Sequence, residues 1–377
     1  MQNIVCRQES SYIRRVVKML CMVILALSAI GLLFVYSSSS VYALERLSSA
    51  QFFFQKHFLY LVLGLLGAFV CALFSDVFFK KGAVWFYWMS LGLTALTLVP
   101  GVGVKINGAS RWLSVFGISL QPSEFFAVAF LLYVASFLTK NTSTEVLLIS
   151  KENIRFVVSI FVGFTVLLMQ PDFGAVVSLS GTTFFLLAVT KLSFVHMVGI
   201  ISLSLPVLAG LIVVAPYRLS RIMIFLDPWK DPQGKGFQIV QSLIAIGSGN
   251  VWGVGIGQSQ QKFFYLPMQH TDFVFSVIAE ETGLIGVSLI LALFMLLCYF
   301  GFRIALLLNS RFASLATAAF ITFITLRALI NIMVASALLP TKGVGLPFVS
   351  FGGSAMIALF CVIGIIIGFV RSQRDLG

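Results

Sequence analysis

Charge interrupts this chain so rarely that most of it cannot face water. Only 10% of its 377 residues are Asp, Glu, Lys or Arg, and 59% belong to the AVILMFWYC set. A soluble domain carries about a quarter charged residues. The apolar residues gather in runs of about 20, the length that crosses a hydrocarbon layer roughly 30 Å thick. About ten such runs begin near Met19, Phe58, Ala83, Pro122, Phe156, Phe173, Phe194, Gly283, Phe312 and Ser354. The expected fold class is therefore all-α: a polytopic membrane protein of about ten transmembrane helices, with a large extracytoplasmic loop between helices 7 and 8. The fifth and sixth runs are divided only by Gln170-Pro171-Asp172, and read either as one re-entrant hairpin or as two short spans. Residues 1–377 read as a single membrane domain, without a fixed-period repeat or a soluble unit. No cleavable leader is expected, because the first run follows Arg14, Arg15 and Lys18 and is long enough to span.

The formal net charge is +12. In a soluble protein that would suggest nucleic acid. Here the cations sit in short connections between apolar runs, where they set orientation. Lys80, Lys81, Lys140, Lys151, Arg155, Arg303, Arg311 and Arg371 fall on the side of the N-terminus. The expected arrangement is a cytoplasmic segment 1–18, a cytoplasmic tail 371–377 and an outer loop 216–272. The five Cys and three His show no metal-ligand spacing. Gly234-Lys235-Gly236 lacks the spacing of a nucleotide-binding P-loop.

Polar residues concentrate in three outer segments. Asn107 to Trp112 is followed by Gln121-Pro122-Ser123-Glu124, which places Glu124 just inside a span. An acid there either pairs with a cation to fix two helices or faces a wet cavity. Segment 216–272 carries Arg218 and Arg221 at i and i+3, so one helix face presents two guanidiniums, suited to a phosphate or to anionic lipid head groups. Phe237 to Ile246 has the apolar spacing of an amphipathic helix. The same segment ends at His270-Thr271-Asp272, where Asp272 is either a chemical acid or the N-cap of the next helix. Glu280 lies about 12 Å further along a continuous helix near the same face, and Glu281 points away. The third segment, Leu339 to Ser354, holds Lys342, Ser350, Gly352 and Gly353, and lets backbone approach a ligand closely. Arg327 and Asn331 share a face of the preceding span and are expected to point into the bundle.

Together these segments resemble the SEDS family (shape, elongation, division and sporulation proteins), whose members include FtsW, RodA and SpoVE. The matching residues are NGASRW at Asn107, QPSE at Gln121, QPDFG at Gln170, YR at Tyr217, FLDPW at Phe225, GKGFQ at Gly234, HTDF at His270, EETG at Glu280, LPTKG at Leu339 and GGS at Gly352. YSSS at Tyr36 and YLP at Tyr265 look more like the division and sporulation branch. Family members usually carry a Lys three residues after the QPSE acid, where this chain has Ala127, and a Glu where it has Met268.

The resemblance implies a peptidoglycan glycosyltransferase that polymerises lipid II, with undecaprenyl diphosphate as leaving group and Asp272 as the match to the family's essential aspartate, read here as the general base. It places Arg111, Glu124, Arg218, Arg221, Lys342, Ser350, Gly352 and Gly353 at the substrate, with Trp112, His270, Thr271, Glu280 and Asn331 in support. The expected setting is the bacterial inner membrane. The expected partners are lipid II, a class B penicillin-binding transpeptidase and a division or elongation complex, and not nucleic acid. No cofactor is specified with certainty; magnesium or manganese is an expectation. The rival readings are a lipid II flippase and a scaffold for the transpeptidase.

Overall fold

The computed structural model describes residues 2–106, 109–115, 118–140, 151–190, 216–234, 236–261, 269–341 and 343–375, with 199, 202 and 210. Side chains are described for these except at 2–10, 106, 115, 118, 216–219, 374 and 375. The expected run near Phe194, together with Lys342 and Met268, lies outside the described residues. So does the side chain of Arg218.

Eight helices among the described residues are long and apolar enough to cross a membrane. The first, α1 (Gln2–Leu47), is one continuous rod, so the expected segment before Met19 and the span after it are a single element. Next come α2 (Phe52–Ala72) and α3 (Asp76–Leu96). Helix α3 corresponds to the run at Ala83 but is not among the eight, since Asp76, Lys80 and Lys81 dilute its first turns. It still packs along α4 (Pro122–Lys140), burying Phe79, Ala83, Tyr87 and Leu91. The Gln170-Pro171-Asp172 break separates two distinct helices, α5 (Lys151–Met169) and α6 (Phe173–Thr190).

The long polar segment contains α7 (Pro216–Leu226) and the amphipathic α8 (Phe237–Ser248), the latter burying Ile239, Val240 and Ala245. The chain closes with α9 (Val274–Leu307), α10 (Arg311–Ala335) and α11 (Gly353–Asp375).

One feature departs from the all-α expectation. Between α3 and α4 lies an antiparallel meander of β1 (Gly103–Ile106), β2 (Ala109–Val115) and β3 (Ile118–Leu120), with Val104 opposite Trp112 and Leu113 opposite Leu120. Asn107-Gly108 between alternating residues is a strong hairpin signal in the sequence, and the helical reading passed over it.

Helix α9 is broken. Gly283 has φ 62° and ψ −159°, far from helical values. A Cβ there would stand 2.4 Å from the Gly253 nitrogen. The chain at 249–255 enters the break and takes over its hydrogen bonds: Val254 and Gly255 N–H donate to the carbonyls of Glu280 and Glu281, while Leu284 N–H donates to Asn250 O. A break inside a bilayer survives only where the freed backbone groups find partners, and this insertion supplies them. Segment 274–282 is consequently packed inside the protein, while the apolar helix after Gly283 is largely exposed at Leu284, Ile285, Leu289 and Met295.

Candidate functional site

A cavity of about 1030 Å³ opens at the end of the bundle that carries the sheet and α7. Its walls come from sequence-distant elements, which turn polar residues from all three segments toward one space. Asp272, Arg221, Arg111, Glu124, Asp172 and Arg327 all line it.

Asp272 stands two residues before the start of α9. The N-cap of that helix is Phe273, without a side-chain hydrogen bond, so the capping alternative for Asp272 is not what the structure shows. The backbone beneath the acid is fixed by Asn331 on α10, whose Nδ2 donates to Asp272 O and to Val344 O, both at 2.8 Å. One buried amide thus ties the Asp272 turn to the loop 339–352. The Asp272 carboxylate faces that loop at Gly343, where a Cβ would lie 3.7 Å from Oδ2. Burial pushes the Asp272 carboxyl up to about 6, and the positive charges of Arg221 and Arg111 oppose the rise.

The loop around the acid is held in place by its own backbone. Phe351 N–H donates to His270 O at 2.9 Å, and Ser350 Oγ accepts from Leu346 N–H at 2.7 Å. Phe348 sits at φ 64°, a left-handed conformation that costs a non-glycine residue roughly 1 kcal/mol or more, held by near-complete burial of its ring at 1% exposure. Ser350, expected at the substrate, also serves to close this turn. Gly352 and Gly353 both line the cavity, and Gly353 is packed against Tyr60, whose ring a Cβ would meet at 2.5 Å.

His270 supports the site through shape rather than charge. Its ring packs against Phe53 at 4.5 Å and Phe351 at 5.8 Å, and burial lowers its pKa to about 4, so it is neutral at physiological pH. Thr271 and Trp112, expected as supporting residues, line the cavity.

The cations differ in how far they are engaged. Arg221 Nη1 donates to Thr341 O at 2.9 Å, so the guanidinium lies at the mouth of the loop. Arg111 is bound more closely. Its Nε donates to Gln170 O at 2.8 Å, its Nη2 to Pro171 O, and its Nη1 lies 3.9 Å from Asp172. Strand β2 is thereby clamped to the α5–α6 break, and Gln170 completes the clamp with bonds to Thr94 O and Thr97 Oγ1. Glu124 takes both its oxygens to Arg327, at 2.5 and 2.9 Å. The cation missing at Ala127 is supplied from α10. Arg327, Asp172 and Gln170 belong to the site although only their motifs or facing were legible beforehand.

Two expectations are corrected. Glu280 does not line the cavity with Asp272, and Glu281 does not point away from Glu280. Both carboxylates meet the 259–260 turn: Glu280 Oε1 accepts from Gln260 N–H at 3.0 Å and Oε2 from Ser259 Oγ, while Glu281 Oε1 accepts from Ser37 Oγ at 2.6 Å and Ser259 N–H at 3.4 Å. Ser259 and Gln260 follow the inserted stretch 249–255, and Ser37 comes from α1.

The fold and cavity define a multi-pass membrane protein with an acid and several guanidiniums gathered at one end of its bundle. More particularly, the chain belongs to the FtsW, RodA and SpoVE family, whose model, described as "Cell cycle protein", matches residues 17–375. It is 36% identical over 348 residues to "Probable peptidoglycan glycosyltransferase FtsW" of Trichlorobacter lovleyi, covering 92% of this chain and 91% of that one. It is 36% identical over 359 residues to "Stage V sporulation protein E" of Bacillus subtilis, covering 94% and 97%. Among solved structures, a chain from "Structural coordination of polymerization and crosslinking by a peptidoglycan synthase complex" superposes with TM-score 0.77 at 31% identity, covering 94% of this chain and 97% of that one. The rod shape determining protein RodA of Thermus thermophilus superposes with TM-score 0.68 at 26% identity, covering 94% and 96%.

Proposed function

We propose that this chain is a peptidoglycan glycosyltransferase that polymerises lipid II on the outer face of the bacterial inner membrane during cell division. The observation that carries the reading is Asp272: a carboxyl poised near pH 6 on a wide cavity shared with Arg221 and Arg111. A general base works best when its pKa lies near the working pH.

In the proposed reaction the Asp272 carboxylate takes the proton from the acceptor's sugar 4-hydroxyl. That oxygen bonds to the anomeric carbon of the donor. The bond from this carbon to the phosphate oxygen breaks, and undecaprenyl diphosphate leaves with the electron pair. Arg221 is placed to meet the developing negative charge. The tied-up Arg111 contributes field rather than direct contact.

The donor set for a divalent cation is thin. Among the described residues no three His, Cys, Asp or Glu side chains converge, and Glu124 and Asp172 already have arginine partners. With Asp272 committed to proton transfer, a magnesium or manganese ion would take its ligands chiefly from the substrate's pyrophosphate, whose charge it would screen.

Lys80, Lys81 and Lys140 lie together at the end away from the cavity, which supports cytoplasmic termini and an outward-facing cavity. The flippase reading needs a polar route through the bundle. Beneath the Glu124–Arg327 pair the interior is filled by Phe130, Leu131, Leu179, Phe320 and Ile324, each 0% exposed, which favours chemistry at one face. The structural relative's part in a synthase complex supports a class B transpeptidase as partner.

The test uses purified protein, alone and with its transpeptidase, given lipid II and a divalent cation. Glycan ladders that disappear with Asp272→Ala are expected. Precursor movement across vesicles without ladders would replace the reading with the flippase.

A further inference from the structure

The Glu124–Arg327 pair joins residues 203 apart in sequence, on α4 and α10. Two buried charges that served only to fix these helices would be closed over by packing. Instead both side chains line the cavity, at 12% and 11% exposure. Each carboxylate oxygen of Glu124 receives one N–H from the guanidinium fork, and each has acceptor capacity left. Behind the fork the Phe323 ring holds the guanidinium at 5.3 Å. Helix α4 offers no cation in the turn after Glu124: the residue there on the cavity wall is Ala127. The neighbouring acid, Asp172, has Arg111. Without Arg327 the Glu124 carboxylate would lose both of the donors that fix its orientation at the cavity wall.

We propose that Arg327 is a positioning residue of the transfer site, acting through Glu124. It holds that carboxylate aimed across the cavity, where it accepts hydrogen bonds from sugar hydroxyls of the lipid-linked substrate. The role needs a fixed cation beside Glu124 but not this helix as its source. The inference rests on the polymerase reading and deepens it.

The test measures steady-state polymerisation by the full chain with its transpeptidase, beside thermal unfolding of each variant. Arg327→Gln is expected to fold and to lower kcat/KM by about 100-fold. Adding Ala127→Lys, which restores a cation at i+3 from Glu124, is expected to recover at least about tenfold. The double variant Glu124→Leu with Arg327→Leu is expected to fold at least as stably as the parent, since apolar replacement of a buried pair is often neutral or stabilising, yet to remain inactive. Parent-like activity of Arg327→Gln, or of the leucine pair, would overturn the proposal. So would a folded Ala127→Lys/Arg327→Gln chain with no gain. Should Arg327→Gln alone fail to accumulate, the lysine double variant decides: activity within about tenfold of the parent supports the proposal, and a folded inactive protein removes it. A parent that makes no glycan in any condition removes the polymerase reading itself; an active parent with an indifferent Arg327→Gln removes this proposal alone.

Discussion

Two groups of acids lie within ten residues of each other along the chain and are built on opposite principles. Asp272 opens onto a wide cavity with guanidiniums in its field. Glu280 and Glu281 are shut in at 2% and 1% exposure, and their partners are serine hydroxyls and backbone N–H groups rather than cations. The first arrangement leaves a carboxylate able to exchange a proton. The second spends the carboxylates on holding a loop inside a broken helix. Side-chain chemistry alone does not separate the two; what surrounds each acid does.

The comparison is broken most sharply by Asp272→Asn. Polymerisation is expected to fall about 1000-fold, in the range that general bases contribute, while the glutamate cluster and the fold remain. Thermal unfolding in detergent should even improve. Because the folded-state pKa is raised, ionising Asp272 costs the folded state: the protonated form's advantage is complete below pH 3.8 and is lost as pH rises through about 6. The asparagine variant removes that cost, roughly 3 kcal/mol, so its gain should appear above pH 6 and vanish below pH 4. By the same ionisation, parent activity should drop about tenfold per pH unit below 6.

On the other side of the comparison, Gly283→Ala is expected to lower the melting temperature by more than ten degrees or prevent accumulation. It places a Cβ against the Gly253 and Val251 backbone at a φ of 62°. Glu280→Ala should destabilise by about 3 kcal/mol, since it orphans the Gln260 N–H and the Ser259 hydroxyl. Activity should then follow the folded fraction rather than fall below it. Ser37→Ala should cost about 1 kcal/mol, loosening α1 from the cluster without altering the pH profile. A glutamate variant that stays fully folded but shifts the activity midpoint would erase the distinction.

Much of this was legible in the order of residues. The apolar runs locate the helices because hydrocarbon imposes a minimum length, and polar residues expensive in lipid mark the cavity wall. Asp272, Arg221 and Thr271 lie on that wall, while Asn331 faces the bundle interior beneath it. What stayed hidden depends on distance or on backbone. Arg327 was legible as inward-facing, but its match to Glu124 across 203 residues was not. The roles of Glu280 and Glu281 depend on the break in their helix, for which Gly283, just after the two acids and Thr282, is the sequence signal. The meander was lost because strands of three to seven residues leave little periodic trace.

The interruption at Gly283 also has a mechanical meaning. The helix after it lies against lipid and shares the bilayer's fluctuations in thickness and tilt. A rigid rod through the membrane would act as a lever, passing each swing to the turn that carries Asp272. With the rod divided and the gap filled by residues 249–255, the short inner piece 274–282 takes its bearings from α1, α8 and α10 instead. The acid is thus sprung from the membrane in which it is embedded, and the precision of the site is set by the protein's own packing.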